Sequence, residues 1–118
     1  MPIIKCWRNR RQKKLKVYIS GPISGTTAYP QSFEKAAEYL RHLGNEVVDP
    51  TTIDPPSEHT KGTTWDYYMR EGIKLLMDCD RIYMLEGWEN SEGATLEQRI
   101  ALQLRMPCLY EVEDIERV

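Results

Sequence analysis

The chain has 118 residues, 41% of them hydrophobic and 29% charged, with a formal net charge of −2. That length suits one domain burying roughly two-thirds of its unfolded surface, and the composition is that of a globular protein rather than a disordered or fibrous one. No apolar run approaches the ~18 residues of a membrane span, no apolar h-region opens the chain, and Cys6, Cys79 and Cys108 form no C-x-x-C pair, so the expected setting is a reducing cytoplasm without disulfide framework or zinc site.

The charge is unevenly placed. Residues 5–16 carry seven Lys/Arg and no acid, which leaves nine Lys/Arg against all 18 Asp/Glu in the remainder. The first fifteen residues therefore read as a basic arm on an acidic domain spanning 16–118. Nucleic-acid binding is the alternative reading of such an arm, but the stretch is short and Trp7 is its one stacking side chain. A solvated lead-in is the plainer reading.

Lys16–Ser20 (KVYIS) is a β-rich run that stops at Gly21-Pro22. Ser32–Leu43 carries Phe33, Ala36, Ala37, Leu40 and Leu43 at helical spacing, with Gly44 as its stop. Glu46–Val48 is a second short strand ended by Asp49-Pro50. Thr51–Thr63, with Pro55-Pro56 and no periodicity, is a loop long enough to be a lid or binding segment. Thr64–Met77 is helical through Trp65, Met69, Ile73 and Leu76, with Thr64 as a candidate cap. Arg81–Leu85 is a third strand, Ser91 caps a helix running to about Arg105, and Pro107–Tyr110 is a fourth strand. This alternation predicts a three-layer α/β fold of flavodoxin or Rossmann type, with a short parallel sheet of four to five strands and helices on both faces. Ligands then belong beyond the carboxyl ends of the strands. Asp80 opens the third strand at the opposite end, and reads as structural.

Two segments at the ligand end carry chemistry. Gly21-Pro22-Ile23-Ser24-Gly25 follows a strand, and its glycines allow close backbone approach by a ligand, although a simple tight turn explains it equally well. It is neither a P-loop nor a dinucleotide fingerprint. In Ser91-Glu92-Gly93-Ala94-Thr95-Leu96-Glu97, Glu97 shares a helical face with Ala94, Ala101 and Leu104, a stripe that should pack on the sheet. A carboxylate buried there needs a partner or a purpose; a capping or salt-bridged glutamate is the alternative. Of the aromatics Tyr18, Trp65, Tyr68 and Trp88, core packing is the default for each except Trp88, whose polar loop favours ligand contact. His42 is expected on an exposed helix face, and His59 in the long loop. No residue cluster has metal-ligand spacing, and no metal or cofactor is expected.

Taken together, Tyr18-Ile19-Ser20-Gly21-Pro22-Ile23-Ser24-Gly25, Trp65-Asp66-Tyr67-Tyr68-Met69, Asp78-Cys79-Asp80 and Gly87 through Glu97 resemble the small bacterial and phage branch of the nucleoside 2-deoxyribosyltransferase-like superfamily, over nearly all of residues 16–110. The resemblance implies an N-glycosidase or deoxyribosyltransferase acting on a nucleoside or its 5′-monophosphate. Glu97 would be the nucleophile at the anomeric carbon, a role suited to a carboxylate that stabilises oxocarbenium character and forms a separable ester. Tyr18 would orient it, while Gly21, Ile23, Ser24 and Gly25 would line the sugar or phosphate pocket. Ser91 and Gly93, at a helix start, would hold the 5′ group, and Trp65 and Trp88 would offer aromatic contact to the base. It also implies a homo-oligomer. Two positions depart from the pattern. Relatives usually carry, on the second helix, an aspartate that assists protonation of the leaving base; here that place is Gly72. Glu71 and Asp66 lie about 100° and 120° away around the helix. The nucleotide-hydrolysing relatives also carry an arginine where this chain has Ser24. A nucleotide-binding protein without turnover is therefore the alternative.

Overall fold

A computed structural model describes residues 14–59 and 64–112. Most of the basic arm lies outside the described residues, as do positions 60–63 of the long loop and the chain from 113 onward. The elements are β1 (Lys16–Ser20), α1 (Tyr29–His42), β2 (Glu46–Val48), α2 (Thr64–Met77), β3 (Arg81–Met84), α3 (Glu92–Gln103) and β4 (Cys108–Tyr110). All neighbouring strands pair in parallel, in the order β2-β1-β3-β4. The four-stranded parallel α/β sheet expected from the alternation of elements is thus present.

β1 and β3 are central and buried on both faces, which is why they read as continuous β-rich runs. Their side chains alternate with period two. Val17 and Ile19 with Tyr83 and Leu85 pack against Phe33, Ala36, Ala37 and Leu40 of α1. Tyr18, Ile82 and Met84 face the other way, against Leu76 of α2 and Ala94 and Ala101 of α3. The chain leaves β1 for β2 on one side and returns to β3 on the other, so the strand order switches between β1 and β3. Beyond the carboxyl ends of those two strands lies the crevice that such a switch opens.

The differences from expectation that bear on the site are local. α1 begins at Tyr29, not Ser32, because Pro30 fits the first turn, where its missing N–H costs nothing. The Ser32 hydroxyl instead donates back to Ala28 O at 3.2 Å. Asp49 organises the start of the long loop as a 3₁₀ turn over Pro50–Thr52, its Oδ1 accepting from Thr51 N at 2.9 Å and Thr51 Oγ1 at 2.6 Å. α3 ends at Gln103 and the chain turns through a left-handed Arg105 (φ 61°). Leu104 consequently falls off the buried stripe and is exposed, whereas Ala94, Glu97 and Ala101 are buried. Asp80 sits at the far end of the sheet as expected, accepting from Lys16 N at 2.8 Å while its own N–H donates to Lys16 O.

Candidate active site

Glu97 is the one buried acid among the described residues, 6% exposed. Two residues of β1 hold it. Tyr18 Oη donates to Glu97 Oε2 at 2.6 Å, and Ser20 Oγ donates to Oε1 at 2.7 Å. Tyr18 and Ser20 stand two apart on one strand and so point to the same face of the sheet, onto which α3 lays its Ala94–Glu97–Ala101 stripe. Small alanines on either side of Glu97 let the helix approach closely enough for both contacts. Each carboxylate oxygen accepts one hydroxyl and keeps further acceptor capacity.

Burial raises the Glu97 pKa above the ordinary carboxylate value, and the hydrogen bonds from Tyr18 and Ser20 offset part of that rise. The Tyr18 phenol is pushed far above its usual range, by burial first and then by the Glu97 charge. It is therefore a neutral donor at any working pH. The Cys79 thiol, pushed up to about 11 by burial, is a core group rather than a nucleophile.

The pair opens into a cleft of about 440 Å³, within the range of small-molecule sites. Tyr18, Gly21, Ile23 and Ser24 line it from β1 and the following turn, and Ser91, Gly93, Ala94 and Glu97 from the start of α3. The two segments singled out in the sequence thus meet across one cavity. Trp65, Tyr68 and Met69 of α2 form another wall, Tyr29 and Phe33 of α1 a third, and Pro50, Thr51 and Ile53 close the loop side. Ser91 caps α3, its Oγ accepting from Ala94 N at 3.1 Å, so the amides of Glu92 and Gly93 precede the first intrahelical bonds. Two glycines serve packing as well as the cleft. A Cβ on Gly21 would lie 2.8 Å from Leu85, and one on Gly93 would lie 2.9 Å from Met69 Sδ.

Two of the expected residues do not line the cleft. Trp88 does not line the cleft: its partly buried ring packs against the core cluster on the α2–α3 face of the sheet and stands 5.8 Å from the Tyr110 ring. The polar residues around it suggested a loop side chain free to face a ligand, but the 3₁₀ turn Trp88–Asn90 folds the indole inward. Gly25 also lies outside the lining; it is exposed, with φ +80°, and supplies the left-handed corner of the turn. His59 is exposed beside Glu58 and His42 is exposed at the end of α1, neither on the cleft.

Gly72 proves to belong to the site. It is buried on α2, and a Cβ there would lie 2.8 Å from Tyr18 Oη and 3.1 Å from Glu97 Oε2. The Tyr18 hydroxyl occupies the room that an aspartate at this position would take. Glu71 is turned away, paired with Lys74 at 2.9 Å, and Asp66 does not line the cleft. Ser20 was the other partner not singled out individually, although its period-two relation to Tyr18 was a usable signal. Tyr29, Phe33 and Ile53 carried no local sign of the site.

Among solved structures, the chain is similar to that of a 2-deoxyribosyltransferase from Bacillus psychrosaccharolyticus, with a TM-score of 0.64 and 17% sequence identity, covering 86% of this chain and 78% of that one. At that identity the likeness establishes a shared fold. None of the curated proteins matches the chain. No helix among the described residues is long and apolar enough to cross a membrane. A family model described as domain of unknown function DUF4406 matches residues 15–110, from the edge of β1 to the end of β4, and the chain belongs to that family.

Proposed function

We propose that the protein cleaves the N-glycosidic bond of a nucleoside or nucleoside 5′-monophosphate, as a hydrolase or a deoxyribosyltransferase, with Glu97 as the nucleophile. One observation carries this reading: a carboxylate buried at a strand-order switch, fixed through both oxygens by Tyr18 and Ser20, and lining an aromatic-walled cleft. A structural glutamate needs no cavity; this one faces a cavity of ligand size. The positioned carboxylate can form an ester at the anomeric carbon, which water or a second base then resolves. Tyr18 and Ser20 orient it, Trp65 flanks the base, and the Ser91–Gly93 helix start receives the 5′ group. The fold shared with a 2-deoxyribosyltransferase supports the same chemistry. The test is incubation with a panel of nucleosides and monophosphates, following free base by chromatography; base release that persists in Glu97→Gln would overturn the assignment.

A second reading is a nucleotide-binding protein without turnover. The observation favouring it is Gly72, whose place beside the Tyr18–Glu97 pair cannot hold an acid. Thermal stabilisation by a nucleotide without base release would decide for it.

A further inference from the structure

The cleft is electrostatically one-sided. Among the described residues, Glu97 is its one formally charged side chain, and no Lys, Arg or His lines it. Trp65, Tyr68 and Tyr29 present aromatic rings to the same space. A carboxylate facing such rings, with no cation among the described lining residues, favours a positively charged planar ligand, because the ring faces and the carboxylate attract the same charge.

Among the described residues no second acid lines the cleft, which points the same way. A neutral nucleobase leaves as an anion unless it is protonated, and positioned acid–base help is typically worth ~10²–10⁴-fold. Here the space on α2 beside the carboxylate is filled by the Tyr18 hydroxyl, which is committed to Glu97 at 2.6 Å. We propose that the site takes N-glycosides whose base is already cationic, namely pyridinium nucleosides or N7-alkylated purine nucleosides. This rests on the glycoside-cleaving reading above. A Glu97 oxygen forms a bond to C1′ as the C1′–N bond breaks, and its electron pair returns to the ring nitrogen and cancels the ring's positive charge. The base departs neutral, with no proton required. Water then adds at C1′, the ester C–O pair returns to Glu97, and the water's proton passes to solvent. The 5′ group is a hydroxyl rather than a phosphate, since no basic side chain among the described residues of the cleft would pair with a phosphate.

The experiment compares N7-methylguanosine with guanosine, and N-ribosylnicotinamide as a pyridinium probe, in ribose and 2′-deoxyribose forms, on the full chain. Each rate of base release is divided by the rate without enzyme, since cationic glycosides are intrinsically more labile. The expected enhancement is ~100-fold larger for the cationic member of the purine pair, the size of the acid help it does not need, and is lost in Glu97→Gln. Enhancements differing by less than tenfold overturn the cationic preference and leave the Glu97 chemistry standing. Base release from no substrate, or release that survives Glu97→Gln, overturns both.

Discussion

Ser20 Oγ donates to Glu97 Oε1 at 2.7 Å across 77 positions of sequence, so the end of β1 fixes the carboxylate oxygen not already taken by Tyr18. The two hydroxyls share one acceptor group, and each bond to a charged group is worth roughly 1.5–3 kcal/mol when fully formed. Ser20→Ala and Tyr18→Phe should each lower kcat by about tenfold or more and move the acid limb of the pH–rate profile upward, because each removes a bond that holds the Glu97 pKa down. The double variant should depart from the summed single effects by about 0.5–3 kcal/mol, as neighbours in one network do. An unmoved acid limb in both single variants would show that these hydroxyls do not govern Glu97.

Glu97 should cost the protein stability at neutral pH. Its folded pKa lies above that of an unfolded glutamate, about 4.3, with burial as the cause. The folded state therefore holds its proton more tightly, a contribution present in full below the unfolded pKa and lost as pH rises through the folded one. Glu97→Gln, which carries no charge to desolvate, should melt higher than the natural protein at pH 7 while losing base release, the common exchange of activity for stability. The gap in Tm should narrow as pH falls toward 4. Melting curves across that range check the sign; a gap that is constant with pH contradicts it.

Gly72 sets helix propensity against packing. Alanine is favoured over glycine in a helix interior by roughly 0.5–1 kcal/mol, but its Cβ would lie 2.8 Å from Tyr18 Oη and 3.1 Å from Glu97 Oε2. Overpacking a buried site typically costs 1–3 kcal/mol, so Gly72→Ala should be net destabilising and should reduce activity by disturbing the buried pair. Gly93→Ala meets Met69 Sδ at 2.9 Å, and a methionine side chain is flexible enough to yield. It should be tolerated within about 1 kcal/mol. Equal denaturation midpoints for the two variants would mean that Tyr18 and Glu97 are not held firmly.

Much of this arrangement was legible because it is local. The β-rich run KVYIS, the glycine stop after Leu43 and the Ser91 cap locate β1, α1 and α3, and the helical face of Glu97 among alanines points to the buried acid. What was not legible depends on contacts between distant segments. Nothing around Trp88 indicates that Tyr110 will lie beside it, so its polar neighbours pointed to solvent or ligand. Gly72 stands out through the resemblance alone, and what fills the space beside it comes from Tyr18, 54 positions earlier in the numbering. Leu104 differs for another reason: it lies on the line of the buried face, but the helix ends at Gln103, one residue before it.

The two tryptophans of the region should therefore separate ligand binding from folding. Trp65 is 40% exposed on α2 and lines the cleft, whereas Trp88 packs against the buried cluster on the α2–α3 face of the sheet. Trp65→Ala should cost less stability than the loss of a core aromatic, since Trp65 belongs to neither buried cluster, and should weaken substrate binding, seen as a higher KM or a smaller ligand-induced rise in Tm. Trp88→Ala should cost more than Trp65→Ala, approaching the roughly 3–5 kcal/mol usual for deleting a large aromatic from a core, because its ring packs against the buried cluster. If binding instead followed Trp88 in a variant that melts like the natural protein, the inward placement of its indole would be wrong and the base wall would lie on the β3 side of the cleft.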